Sequence, residues 1–308
     1  MTRIPVVIVH IGDSYYLRDI VEMNASKNPV IFVGCDKNAY LGEIQNVKHI
    51  HYKQFEDSYC KFLRDNFLDL DKGYDKNIFH EIDPDYRCVN NGTYQFLCFL
   101  RVYYVKKILD QENLEFVFHI DSDCVMLENT NIIAEEIGYN LAYPIEDIHT
   151  NTHLVGSIHN ALLNKAFCNA FFDLYVDIFV NKTKLHLLKE KIDEITAGNL
   201  QGSICDMNFY YLLWREKILE IIDLTKPLFL YGEFCVFDHS LHSASGLFGP
   251  YTYKMTKDSI SLIKFLSYDS GKVYQETVHG EKIRLLSIHF NDCAKKRISS
   301  FRALLSSQ

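Results

Sequence analysis

Two carboxylates one residue apart, Asp121 and Asp123, interrupt the apolar run LEFVFHIDSDCVM (residues 114–126). Strand-forming residues precede the pair and Cys124-Val125-Met126 follow it, so two charges are pressed between hydrophobic segments and need a cation or a partner. On an extended chain, residues i and i+2 project to the same side, separated by two strand rises of ~3.3 Å. A bend there lets both carboxylates reach one divalent cation, or lets one hold the cation while the other takes a ribose hydroxyl. Carboxylate oxygens are hard ligands suited to Mg²⁺ or Mn²⁺, which commonly arrive bridging substrate phosphates. The competing reading is a solvated turn with a helix cap, and the apolar flanks weigh against it.

The elements that must position this pair read as an α/β pattern. PVVIVH (5–10) is a continuous apolar run of the kind a buried parallel strand shows. Gly12-Asp13-Ser14 breaks it, and YYLRDIVEM continues with helical spacing and a cap at Asp13 or Ser14. PVIFVG (29–34) predicts a second strand closed by Cys35-Asp36, and 47–51 a third. YQFLCFLRVYYVKKIL (94–109) predicts a helix with Leu97, Leu100, Tyr104 and Ile108 along one stripe, and the Asp-Ser-Asp strand follows it. Beyond lie a helix near 131–137, a strand at NLAYPI, helices over 161–180 and 184–194, a glycine-rich turn over 196–203 and a helix from about Cys205. The final third, from about Gly232, reads as short strands, Gly turns and a basic tail. An aspartate at the end of a buried parallel strand sits where open α/β sheets bind ligands.

Taken in order, these blocks resemble the GT-A-fold glycosyltransferases, nucleotide-sugar-dependent enzymes with a DxD motif. Besides Asp121-Ser122-Asp123, VHIGDSYYL and VGCDKN resemble the family's first two nucleotide-binding turns. FLCFLRVYYVKKIL resembles the helix with a central arginine that precedes the DxD strand. TAGNLQGSICDMNFYYLLW resembles the glycine-rich turn entering an Asp-Met helix, and SIHFNDCAKKR the C-terminal HFQGxxK element, through His289, Phe290 and Lys295. The blocks span residues 8–297. Asn291 and Asp292 depart from the family's Gln-Gly, and an aspartate there adds negative charge near a pyrophosphate.

The resemblance implies a GT-A-type (Rossmann-like) mixed, mainly parallel sheet flanked by helices. It implies one catalytic domain over 1–308, with a nucleotide-binding half (1–123), an acceptor-side half (124–235) and a C-terminal segment (236–308) completing the metal site. It implies Mn²⁺ or Mg²⁺ held by Asp121, Asp123 and His289, with Asp121 either a shared ligand or a ribose contact. Asp206 becomes the general base, with a helix-dipole aspartate as the rival reading. Gly12, Asp36, Arg101 and Lys295 join Asp121 in binding the donor. Each has a plain alternative: a turn cap for Asp36, an ion pair with a structural carboxylate for Arg101, a solvated basic tail for Lys295. Tyr15 and Tyr16 either stack on a base or pack the first helix. The implied reaction moves a sugar from a nucleotide donor, with UDP favoured, to a glycan acceptor, lipid-linked acceptors included.

Composition narrows the alternatives. The excess of 40 acidic over 32 basic side chains gives a net charge of −8, which argues against non-specific nucleic-acid binding. Nine cysteines without a CxxC pair argue against a zinc ribbon and read as core residues in a reducing compartment. No apolar run approaches the ~18 residues of a membrane span, and the opening MTRIPVVIVHIGDS is strand-like rather than a leader. A cytoplasmic protein is expected. Peripheral contact of the basic C-terminal segment with an anionic membrane face is the lesser expectation, and a packed terminal helix the greater. Two other functions fit in part: a haloacid-dehalogenase-like phosphatase with Asp121 as nucleophile, and an inactive sugar-nucleotide-binding protein. Some 120 residues of α/β pattern before the motif weigh against the first, and retention of Asp121, Asp123 and His289 together against the second.

Overall fold

The computed structural model describes residues 3–67, 94–146, 155–196, 204–242, 251–257 and 262–306. The expected glycine-rich turn lies, beyond Thr196, outside the described residues. Among the described residues, ten strands precede Leu224: β1 (Val6–Val9), β2 (Val30–Gly34), β3 (Val47–His51), β4 (Phe116–Ile120), β5 (Cys124–Met126), β6 (Ala142–Tyr143), β7 (Ile145–Glu146), β8 (Val155–Gly156), β9 (Asn160–Asn164) and β10 (Ile222–Asp223). Seven of them form a sheet in the order β10-β6-β9-β4-β1-β2-β3. The β1–β2, β2–β3, β1–β4 and β6–β10 pairs are parallel, and β9 runs antiparallel to both β4 and β6. The sheet is mixed and mainly parallel, with helices on its faces.

A second sheet joins β11 (Leu228–Leu230), β12 (Glu233–Phe237), β15 (Leu266–Asp269), β16 (Lys272–Glu276) and β17 (Lys282–His289), while β13 (Met255–Lys257) and β14 (Leu262–Lys264) pair separately. β5 pairs antiparallel with β17, so the chain passes from the first sheet to the second within the Asp-Ser-Asp turn. The α-helices of the described residues are α1 (Leu17–Ala25), α2 (Ser58–Asn66), α3 (Tyr94–Gln111), α4 (Thr130–Glu136), α5 (Lys165–Tyr175), α6 (Lys189–Thr196), α7 (Asp206–Arg215) and α8 (Ile298–Ser306).

Alternation along the central strands divides the core. Val7, Val9, Val117 and Leu163 join Phe99 of α3, Phe171 of α5 and Phe209 of α7. Val6, Ile8, Phe118 and Leu162 join Leu17 and Ile20 of α1, Val125 of β5 and Leu285 of β17. The central strands are therefore apolar on both faces, which is why PVVIVH is continuous rather than alternating. Each such side chain, fully buried, contributes about 1.5–3 kcal/mol of transfer free energy. Between α3 and α7, the Phe99 and Phe209 rings meet edge to face, with centroids 4.8 Å apart.

Two expectations differ: α1 has Tyr16 at its N-cap position with no side-chain cap bond, where Asp13 or Ser14 was expected, and one helix is shorter. The helix read over 161–180 begins only at Lys165, because 160–164 form β9 between β4 and β6. The run NALLNKAFCNAFF is apolar at both periods, and Asn164 separates them: its side chain accepts from Phe167 N at 3.0 Å and caps α5. At the C-terminus, α8 buries Ile298 and Phe301 and bonds α1 through Arg302 and Asp19 at 2.5 Å, a packed terminal helix. No helix of the described residues is long and apolar enough to cross a membrane.

Candidate functional site

From β1 the chain goes to β2 and β3 on one side and returns to β4 on the other. The carboxyl ends of β1 and β4 thus border the crevice at which open α/β sheets bind ligands. A cavity of about 240 Å³ lies there, walled by His10 and Tyr16 on one side, by Asp121, Ser122 and Asp123 on another, and by Arg101 and Lys295.

The second sheet supplies the site's distant residue. In the β5–β17 register His289 stands opposite Cys124, and Phe290 N donates to the Asp123 carbonyl at 2.9 Å. This puts His289 Nε2 3.3 Å from Asp123 Oδ1, and Lys295 Nζ 3.1 Å from Asp123 Oδ2. His289 is oriented by the loop after β12. Its Nδ1 donates to the His239 carbonyl at 2.8 Å, leaving Nε2 to face Asp123, and its backbone N–H donates to Asp238 Oδ2 at 3.2 Å. Asp238 is in turn held at its other oxygen by Lys264 (2.6 Å) and Gln275 (2.9 Å). The His159 ring stacks on His289 at 4.8 Å and bonds His239 Nδ1 through Nε2 at 2.8 Å.

Electrostatics follow from these contacts. Burial opposes a charge on His289, but Asp123 beside it prevails and lifts the imidazole to about 9. Burial likewise opposes the Asp123 charge, yet His289 and Lys295 hold this carboxyl well below the usual range. Three carboxylates, on Asp121, Asp123 and Asp206, then balance Arg101, Lys295 and protonated His289. A dication that displaced the His289 proton would leave the site one charge more positive.

The residues fit a divalent cation. Ligands at right angles around an ion with bonds of about 2.1 Å stand about 3 Å apart, close to the 3.3 Å between Asp123 and His289. Among the described residues, Asp123, Cys124 and His289 offer ligand atoms within 4.8 Å of one another. Burial pushes the Cys124 thiol well up, and a neutral thiol is a poor ligand for a hard cation. Asp121, expected as a shared ligand, lies outside this group. Its Oδ1 takes Arg101 Nη1 at 2.6 Å.

Arg101 also reaches Asp206 Oδ2 with Nη2 at 3.0 Å, and Tyr210 OH donates to the same oxygen at 2.7 Å. The general base expected at Asp206 meets a difficulty here. With 2% exposure and that oxygen engaged twice, Asp206 stands behind Arg101 rather than on the cavity wall. A carboxylate so placed orients the guanidinium.

The residues expected on the nucleotide side divide. Gly12 has φ of +116°, a conformation that glycine adopts without strain. Its carbonyl accepts from Asn38 Nδ2 at 2.8 Å, and Asn38 Oδ1 accepts from Cys35 N at 2.8 Å, so this buried amide ties the first loop to the second. Gly34 makes room for it, since a Cβ there would lie 2.1 Å from Asn38 Oδ1. Asp36 is 95% exposed beside His51 and outside the cavity. Tyr16 is buried in the cavity wall, and Tyr15 is exposed, with the two rings 5.4 Å apart. Sequence reasoning passed over His10, Ser122, Asn38, His159, Asn160 and His239. His10 Nδ1 bonds Ser122 Oγ at 2.8 Å across the crevice. Asn160, fully buried opposite Ile120, has neither side-chain polar atom bonded, a state that calls for a ligand or water.

No protein family model matches the chain, and no curated protein matches it. Among solved structures, the glycosyltransferase GlyE of Streptococcus pneumoniae TIGR4 is similar over 72% of this chain and 45% of its own, at 13% identity and a TM-score of 0.33. Its apo form is similar over 73% and 46%, at 12% identity and a TM-score of 0.32. The chain therefore covers less than half of that protein. So loose a superposition carries no argument about activity, substrate or residue roles, which rest on the site itself.

Proposed function

We propose that the protein is a metal-dependent glycosyltransferase. It moves a sugar from a nucleoside-diphosphate donor, with a UDP-sugar favoured, to a glycan acceptor, lipid-linked acceptors included. The observation that carries this reading is the meeting of Asp123 with His289 and Lys295 beside the β1/β4 crevice. Asp123 and His289 hold the cation, which when bound neutralises charge developing on the leaving diphosphate. Lys295 takes a phosphate oxygen. Asp121, already engaged by Arg101, takes a ribose hydroxyl. Arg101, clamped between Asp121 and Asp206, serves the donor sugar. The aromatic pair Tyr15 and Tyr16 flanks the base, and the Gly12 loop closes on it.

The phosphatase reading requires Asp121 to attack as a free nucleophile, and the 2.6 Å contact with Arg101 weighs against it. A thermal-shift screen of UDP, GDP, CDP and dTDP sugars, with and without Mn²⁺, tests the proposal. Stabilisation by one nucleotide class only with the cation, lost in Asp123→Ala, is expected. Hydrolysis of phosphomonoesters without nucleotide preference would sink it.

A further inference from the structure

Of the groups in the crevice, one pair has no role in the reading above. His10 follows β1 and Ser122 follows β4, and these adjacent parallel strands part company at this point. Their side chains bridge the gap through the 2.8 Å bond between His10 Nδ1 and Ser122 Oγ, and both line the cavity. The other ring nitrogen, Nε2, has only a long contact of 3.4 Å with Ser14 Oγ, weak by hydrogen-bond geometry. The His10 backbone is not free to drift. Its carbonyl accepts from Asn38 Nδ2 at 3.4 Å, and its N–H donates to the Val33 carbonyl at 2.9 Å.

The pair is also uncharged. Burial lowers the His10 imidazole to about 4, against the opposing influence of Asp123 and Asp13. A neutral imidazole bonded to a hydroxyl offers a donor and an acceptor but no countercharge. That chemistry suits a sugar hydroxyl, which both gives and takes a hydrogen bond, better than a phosphate, for which Lys295 and the cation ligands stand ready. Position agrees: His10 and Ser122 line the cavity together with Asp121, to which the reading above gives a ribose hydroxyl, and with Tyr16 and Lys295.

We propose that His10, held by Ser122, is a specificity-determining residue that bonds the 2′-hydroxyl of the donor's ribose, so that the protein takes ribonucleoside diphosphates and rejects their 2′-deoxy counterparts. This rests on the nucleotide-sugar reading of the same site. Leaving His10 Nε2 unmatched in a closed crevice is expected to weaken binding about 10- to 100-fold.

The test is isothermal titration of the full chain, with Mn²⁺, by UDP, GDP, CDP and ADP and by each 2′-deoxy analogue. The wild type is expected to prefer the ribonucleotide at least about tenfold for whichever base it binds. His10→Ala should bring that ratio below about threefold by weakening the ribonucleotide alone, and Ser122→Ala should reduce it in part. His10→Gln, which keeps a donor and an acceptor, should restore some of the preference. It also serves, with Ser122→Ala, should the alanine variant fail to fold. Equal wild-type affinity for ribo and deoxy forms, or an undiminished ratio in His10→Ala, overturns this inference and leaves the nucleotide-sugar reading standing. Binding of no nucleotide at all overturns both.

Discussion

If His289 is a cation ligand, binding must expel the proton that Asp123 holds on it, and pH becomes the natural perturbation. The imidazole sits at about 9, so near pH 7.5 it is almost wholly protonated, and each cation bound should release about one proton. Apparent affinity should rise nearly tenfold per pH unit below that value, about 75-fold between about pH 6.5 and about pH 8.5. Little else in the site titrates in this window. Both aspartates of the turn are held below the usual carboxylate range, Lys295 is raised above its own, and His10, His159 and His239 are lowered by burial. Mn²⁺ calorimetry across this range, repeated in buffers of different ionisation enthalpy, reads both the slope and the proton count. His289→Asn should bind more weakly with a flat pH dependence. The sign in the cation-free protein is opposite: the raised imidazole stabilises the fold fully below about pH 6.5, and that contribution fades as pH rises through about 9. Wild-type binding that is flat with pH and releases no proton would refute the assignment of His289.

Three further outcomes follow from the packing. Gly34→Ala forces a Cβ to within 2.1 Å of Asn38 Oδ1 and 2.6 Å of Phe32 Cε1, so urea unfolding should show a loss of about 1–3 kcal/mol, with weaker nucleotide binding as the Gly12 loop loosens. Asp206→Asn removes one charged partner of Arg101 and should cost about 1.5–3 kcal/mol; a large fall in turnover with stability unchanged would instead restore Asp206 as the base. Lys264→Met strands the buried Asp238 carboxylate and should destabilise by about 3–5 kcal/mol in the same unfolding experiment, with the His289 loop disturbed.

What the sequence made legible, and what it did not, divides along physical lines. PVVIVH, PVIFVG and FVFHI announce themselves because strands buried on both faces must be apolar throughout, and these are β1, β2 and β4. The break after β4 was legible because charge between apolar segments is rare. β9 was not. Five residues leading directly into a helix keep the same apolar density, and only pairing with β4 and β6, invisible along the chain, distinguishes them. Asn164, a helix cap, was the local signal available. The surroundings of Asp206 were hidden for a related reason: a first-turn aspartate looks the same whether it faces solvent or the back of Arg101. His10, Ser122 and His159 are single polar residues near strand ends. Their neighbours come from the β1–β4 adjacency, the β4–β9 pairing and the loop after β12, so no spacing in the sequence marks them.

The decisive measurement is turnover: incubation of the protein with a panel of nucleoside-diphosphate sugars and Mn²⁺, following release of the free diphosphate. Consumption of one donor class is expected, dependent on the cation and abolished in Asp123→Ala with the fold intact. Release at the wild-type rate by Asp123→Ala, or no dependence on the divalent cation, would contradict the proposed site.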